Sequence, residues 1–252
     1  MSFWKFSNIA ATETEPESAE LRIEGDIVSD DDVWLYEWAG MTATSPNAFK
    51  DELAKYDNMP ITVWIDSYGG DVFAAAGIYN ALMEHKGPVT VKIDGKAMSA
   101  ASVIAMAGGT IQMSPMAIMM IHNPLSYAEG YASDLRKTAD VLDTVKESIM
   151  NAYTLKTGRS RAKISQMMDD ETYMDARTAV KEKFADSILY ADKETETDDV
   201  MNFAFSRHMV LNCANESMKR LRALEQPPAS PTPPDTKKTD IARAKLALQL
   251  SL

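Results

Sequence analysis

Residues 64–126 read WIDSYGGDVFAAAGIYNALMEHKGPVTVKIDGKAMSAASVIAMAGGTIQMSPMAIMMIHNPLS. The run PITVWID at 60–66 is short, apolar and rich in β-formers, so it reads as a strand. SYGGD at 67–71 follows as a turn, and VFAAAGIYNALMEHK at 72–86 has a helical pattern. GPVTVKIDG is another turn and strand, and AMSAASVIAMAGG reads as a small-residue helix closed by Gly108-Gly109. TIQMSPMAIMMIHNP then reads as two short strands about a Ser114-Pro115 turn. Strands alternating with helices in this order predict an α/β fold with a largely parallel sheet.

Outward from this stretch the pattern continues. LRIEGDIV at 21–28 alternates as a strand. Ser45 before Pro46 reads as a helix start, with Phe49 and Leu53 facing the core. One long helix is expected from roughly 131 to 156, with Gly158 as its C-cap, and a second begins near Ser160. MMDDETYMDARTAVKEKFADSIL brings a turn, a helix and a last strand. Residues 1–20 read as a flexible acidic arm, 21–192 as a single α/β domain and 193–252 as a tail. In the tail, a helix at 201–225, a proline-rich linker around Pro227–Pro234 and a terminal helix are expected.

Composition narrows the function classes. The 252 residues are 45% hydrophobic and 25% charged, ordinary for a globular protein. The net charge of -11 argues against a nucleic-acid partner, whose affinity rests on Lys and Arg. Cys213 is the one cysteine, and the histidines are His85, His122 and His208, too few for a Cys/His zinc site. No metal or cofactor is therefore expected. No stretch approaches the ~20 apolar residues of a membrane span, and the N-terminus lacks a signal-like apolar core. The expected address is cytoplasmic, with no membrane partner. The 17 methionines read as adaptable core filler.

Three features at strand ends bear chemistry. Gly69-Gly70, between strand and helix, lets the backbone turn its N–H groups outward, where an oxyanion binds; it also serves as a plain turn. No Lys-Ser/Thr pair follows, so it is not a phosphate loop. Ser99 sits where a helix begins after a strand. It reads as an N-cap or as an exposed nucleophile with the Ala100 N–H beside it, although the pattern is not G-x-S-x-G. His122 closes AIMMIH and reads as a packed structural residue or as a base. Of the three histidines it is the best placed to serve a serine.

Taken jointly, these segments resemble the Clp protease proteolytic subunit family of serine peptidases. The family's Asn-Ser-Pro-Gly-Gly corresponds to Asp66-Ser67-Tyr68-Gly69-Gly70, followed by the Ile78-Tyr79 pair. Its Gly-Gln-Ala-Ala-Ser-Met-Gly-Ala corresponds to Gly95–Ser102, with Ser99 at the nucleophile, and its Met-Ile-His-Gln-Pro to Met120-Ile121-His122-Asn123-Pro124. Leu155–Ser160 is similar to His-Thr-Gly-Gln-Ser. Ala179-Val180 through Ile188 is similar to the family's Ala-Val…Asp-Ser-Ile. Two departures stand out: Tyr68 replaces a proline, and the family's third triad residue, an Asp, falls on Glu171, with Asp170 as the alternative.

The resemblance implies a ClpP/crotonase-like fold and acyl transfer by Ser99 with His122 as base. Glu171 or Asp170 would orient the imidazole, and the N–H groups of Gly70 and Ala100 would form an oxyanion hole. Gly69, Asp71 and Val72 would line an extended peptide or protein substrate. It also implies a homo-oligomeric ring, heptameric or a stacked double ring, with the 131–156 helix between rings. The acidic arm and the long tail resemble the layout of phage head-maturation peptidases. Their substrates are scaffold and capsid proteins, which would place this chain in the host cytoplasm or procapsid interior. The alternatives are an ATP-dependent Clp proteolytic subunit with an AAA+ unfoldase partner, and a non-proteolytic scaffold on a crotonase-like fold.

Overall fold

The computed structural model describes residues 7–9 and 18–191. The helix expected at 201–225, the proline-rich linker and the terminal helix lie outside the described residues. The centre is a parallel sheet with strand order β2 (Ser18–Ile27), β4 (Ile61–Gly70), β5 (Val89–Met98), β6 (Thr110–Met113) and β9 (Ser187–Ile188). β1 (Ser7–Ile9) pairs antiparallel with the start of β2, and β3 (Ala43–Thr44) pairs with its end. The α/β fold with a largely parallel sheet is thus as expected. The described pieces of the expected flexible arm differ from that reading. Ser7–Ile9 and Ser18–Glu20 form a ladder, because the apolar alternation of β2 already starts at the fully buried Ala19.

Alternation decides which face of the sheet meets the core. Leu21, Ile23, Val63, Ile65, Val91 and Ile93 are fully buried. Their neighbours Arg22, Trp64, Lys92 and Asp94 point the other way and are half-buried. On that second face Arg22 pairs with Glu24 and Asp94, each at 2.7 Å, and Arg22 and Lys92 flank the Trp64 ring.

After α1 (Val33–Ala39), the core face is covered by α2 (Pro46–Leu53), α3 (Val72–Glu84) and α4 (Ala100–Ala105), with Phe49, Leu53, Ile78, Leu82 and Ile104 buried. Pro46 takes the first helical position of α2, as Ser45-Pro46 predicted. α5 (Ala132–Thr157) ends at Gly158 in the left-handed conformation, φ 64°. Its last third buries Ile149, Met150, Ala152 and Tyr153, whereas the preceding turns are largely exposed. Among the described residues nine methionines are buried, including Met98, Met113, Met119 and Met174, so many of the methionines do fill core.

Three local readings change. β4 runs through Ser67-Tyr68-Gly69-Gly70, so the expected turn is the strand's end and α3 starts directly after Asp71. β5 does not stop at Gly95. Ile65 faces Ile93 and Ser67 faces Ala97, so one residue of β4 opposes three of β5 and the strand kinks and continues. The turn expected near residue 172 contains a strand, β8 (Thr172–Asp175), antiparallel to β7 (Ile118–Ile121). His85, just past the end of α3, is half-buried. Its Nε2 lies 2.8 Å from the Met59 carbonyl.

Candidate active site

The kink in β5 positions Ser99. Before the kink β5 pairs with β6; after it, Lys96–Met98 pairs in parallel with β7. Both legs end together, with Met98 facing Met120 and the Ser99 N–H donating to the Met120 carbonyl at 2.9 Å. Ser99 and His122 therefore leave neighbouring strands at their carboxyl ends, where α/β sheets place their sites. Ser99 adopts φ 53°, ψ -123°, a left-handed backbone costing about 1–3 kcal/mol for a residue with a Cβ. Its side chain makes no capping bond to α4. The hydroxyl lies instead 2.7 Å from Nε2 of His122. With the imidazole neutral and protonated on Nδ1, that hydroxyl donates to Nε2.

The β7–β8 ladder ends with Ile121 facing Thr172, and His122 and Glu171 are the next residues along the two strands, followed by Asn123 and Asp170. Glu171 has φ 49° and accepts from the Tyr173 hydroxyl at 3.2 Å. Burial pushes the His122 imidazole below its ordinary pKa of 6.5, and the Glu171 charge pulls it back up. Asp170 is exposed at the end of α6 (Arg161–Asp169), its N–H spent on the Gln166 carbonyl. Next to it, Asp169 accepts from Asn123 at 2.8 Å and from Lys146 at 2.6 Å. That network holds its carboxyl below the ordinary range.

The glycine pair packs directly on this turn. A Cβ on Gly69, whose φ is 102°, would lie 2.6 Å from the Met98 carbonyl and 2.9 Å from the Ser99 Cβ. A Cβ on Gly70, φ 146°, would meet the Ile27 carbonyl at 2.0 Å. Only glycine fits either place. The Asp71 N–H donates to Ile27. The Ala100 N–H is the first of α4, a position without an intrahelical acceptor. Asp71 is occupied otherwise: its carboxylate caps α3, accepting from Ala74 N–H at 2.6 Å. Val72 is the first residue of that helix.

The sequence of this fold and site agrees with known proteins. The family model described as Clp protease matches residues 52–192, more than half of the chain. The chain belongs to the Clp protease family. An ATP-dependent Clp protease proteolytic subunit of Bacteroides fragilis ATCC 25285 is 32% identical over 131 residues, 51% of this chain and 63% of the relative. The same-named protein of strain YCH46 is 32% identical over 131 residues, covering 60% of that protein. That of Carsonella ruddii is 31% identical over 132 residues, 52% of this chain and 68% of the relative. The chain thus spans less than two thirds of the two Bacteroides relatives.

In this Clp-family chain some supporting residues escaped the sequence reading. Ser67 is fully buried. It donates to the Gly25 carbonyl at 2.6 Å and accepts from the Gly69 N–H at 3.0 Å, which fixes the glycine turn. Its position before the glycine pair was the available signal. Asn123, Lys146 and Asp169 meet only through tertiary folding, so no spacing announced them. Among the described residues no cluster of His, Cys, Asp or Glu is able to hold a metal, and no helix is long and apolar enough to cross a membrane.

Proposed function

We propose that this Clp-family protein is a serine endopeptidase in which Ser99 is the nucleophile, His122 the general base and Glu171 the residue that orients the imidazole. The observation that carries the proposal is the 2.7 Å contact between the Ser99 hydroxyl and Nε2 of His122, made on a strained turn that holds the side chain clear of the helix. His122 takes the hydroxyl proton as Oγ attacks the peptide carbonyl, then returns it to the leaving amine; water releases the acyl group by the same route reversed. The Gly70 and Ala100 N–H groups receive the oxyanion, each donor contributing about 3 kcal/mol to transition-state stabilisation. Register and charge both favour Glu171 over Asp170. Gly69 and Gly70 offer main-chain groups to an extended protein substrate, and Asp71 and Val72 hold that segment through the start of α3.

The peptidase domain in this reading begins with β2 at Ser18 and runs to residue 192, with 193–252 as an appendage. The chain assembles into homo-oligomeric rings, heptameric or stacked in pairs. The exposed turns of α5, which present Leu135 and Val141, support that assembly. The natural substrates are scaffold and capsid proteins of a phage head, in the host cytoplasm or procapsid interior; the sixty residues 193–252 beyond the family match support this narrower reading. The relatives, themselves ATP-dependent Clp protease proteolytic subunits, favour a second one, an ATP-dependent Clp proteolytic subunit fed by an AAA+ unfoldase.

Co-expression with a candidate capsid protein, read by intact-mass spectrometry, separates the two. Capsid fragments that vanish with Ser99→Ala support the maturation role. Intact capsid protein together with a co-purifying ATPase supports the alternative. A wild-type protein inert to every substrate and to fluorophosphonate leaves a non-proteolytic scaffold.

A further inference from the structure

Behind the Ser99 turn lies a second hydroxyl pair that the triad does not use. Ser102 on α4 is fully buried, and Tyr153 on α5 is 1% exposed. The Ser102 Oγ lies 2.6 Å from the Ser99 carbonyl and 2.8 Å from the Tyr153 hydroxyl. The carbonyl only accepts, and Ser102 has one proton to give. Ser102 therefore donates to Ser99, and Tyr153 donates to Ser102. The direction of the chain is fixed: Tyr153 O–H to Ser102 O–H to the Ser99 C=O. Burial raises the Tyr153 pKa, so the phenol remains a donor. Its ring is held against Phe184, with centroids 5.5 Å apart.

The Ser99 carbonyl and the Ala100 N–H belong to the same planar peptide unit and point in opposite directions. Whatever fixes the carbonyl aims the N–H. The Ser102 and Val103 N–H groups also reach this carbonyl, at 3.0 Å and 3.4 Å, but both come from within the same short helix. Tyr153 anchors the unit from a different element, bonding Ser102 from fifty-one residues further along the chain. We propose that Tyr153, acting through Ser102, is a positioning residue that holds the Ser99–Ala100 peptide so that the Ala100 N–H meets the oxyanion. This rests on the peptidase reading above and adds to it a control of transition-state binding from α5.

The test is the kinetics of fluorophosphonate labelling of the full chain, resolved into the maximal rate kinact and the half-saturating concentration KI. Tyr153→Phe removes one oxygen atom and keeps the packing against Phe184. The proposal predicts a fall in kinact of about tenfold, with KI and the pH midpoint of labelling unchanged, since His122 is untouched. Ser102→Ala is expected to lose at least as much. Adding Tyr153→Phe to Ser102→Ala should then cost nothing further, because the chain is already cut. A role confined to stability would lower the melting temperature of both variants and leave kinact alone. Full kinact in a folded Tyr153→Phe or, should that variant not fold, in Ser102→Ala overturns the positioning proposal while the peptidase stands. A wild-type chain that never labels at Ser99 overturns the peptidase reading, and the positioning role with it.

Discussion

His122 and Glu171 each stand one residue past the last pair of the β7–β8 ladder, Ile121 with Thr172, and the Glu171 charge pulls the His122 pKa up. A slip of one residue in that register would bring Asp170 to the place of Glu171, so the proposed choice of acid rests on strand pairing.

The first prediction follows from that pairing. Glu171→Gln is expected to lower kcat/KM on the order of 10⁴-fold, because the amide no longer favours the imidazolium formed during attack. Asp170→Asn should stay within about twofold of wild type. A large loss in Asp170→Asn with little in Glu171→Gln would reverse the assignment.

The pH profile gives the second. A general base works when neutral, and burial holds the His122 pKa below the ordinary 6.5. The acid limb of kcat/KM should therefore fall below pH 6.5, with activity retained as pH drops through the range where a free imidazole would charge. The Glu171 carboxylate favours the charged imidazole, so removing that charge shifts the residual limb of Glu171→Gln to still lower pH. A limb above 6.5 in wild type would contradict this environment.

Much of this was legible in the sequence, for identifiable reasons. The order of strands and helices followed from apolar periodicity, and the α2 start and α5 stop from Pro46 and Gly158, whose backbone preferences are local. Ser99 and His122 were visible because each closes an apolar strand. The acid was left between two residues because β8 is only four residues long and two of them are half-buried, too weak an alternation to read. The β5 kink was hidden as well: Gly95 looks like a strand end, and only pairing with two different partners shows the chain continuing. The Ser102–Tyr153 pair joins positions fifty-one residues apart, which no local pattern encodes.

Gly69 supplies the third prediction. Gly69→Ala combines a φ of 102° with contacts of 2.6 Å and 2.9 Å to Met98 and Ser99. It should cost about 2–4 kcal/mol of stability and at least about tenfold in activity, since the displaced atoms belong to the turn that carries Ser99, the proposed nucleophile. Thermal melts and labelling rates measure the two effects separately. An unchanged melt and rate would mean that the glycine turn does not bear on Ser99.

The fourth concerns Asp71, whose carboxylate caps α3. Asp71→Ala should lose about 1 kcal/mol, seen as a drop of about 2–4 °C in Tm. Asp71→Asn keeps an accepting oxygen and should recover most of it. Equal losses in both would point to a role for the charge itself.

The most direct test of the central claim is intact-mass spectrometry with peptide mapping after treatment with a fluorophosphonate. The account predicts one adduct per wild-type chain, on Ser99, none on Ser99→Ala, and labelling slowed by several orders of magnitude in His122→Ala. An adduct on Ser99→Ala at the wild-type rate, or no adduct on the folded wild-type protein, would contradict it.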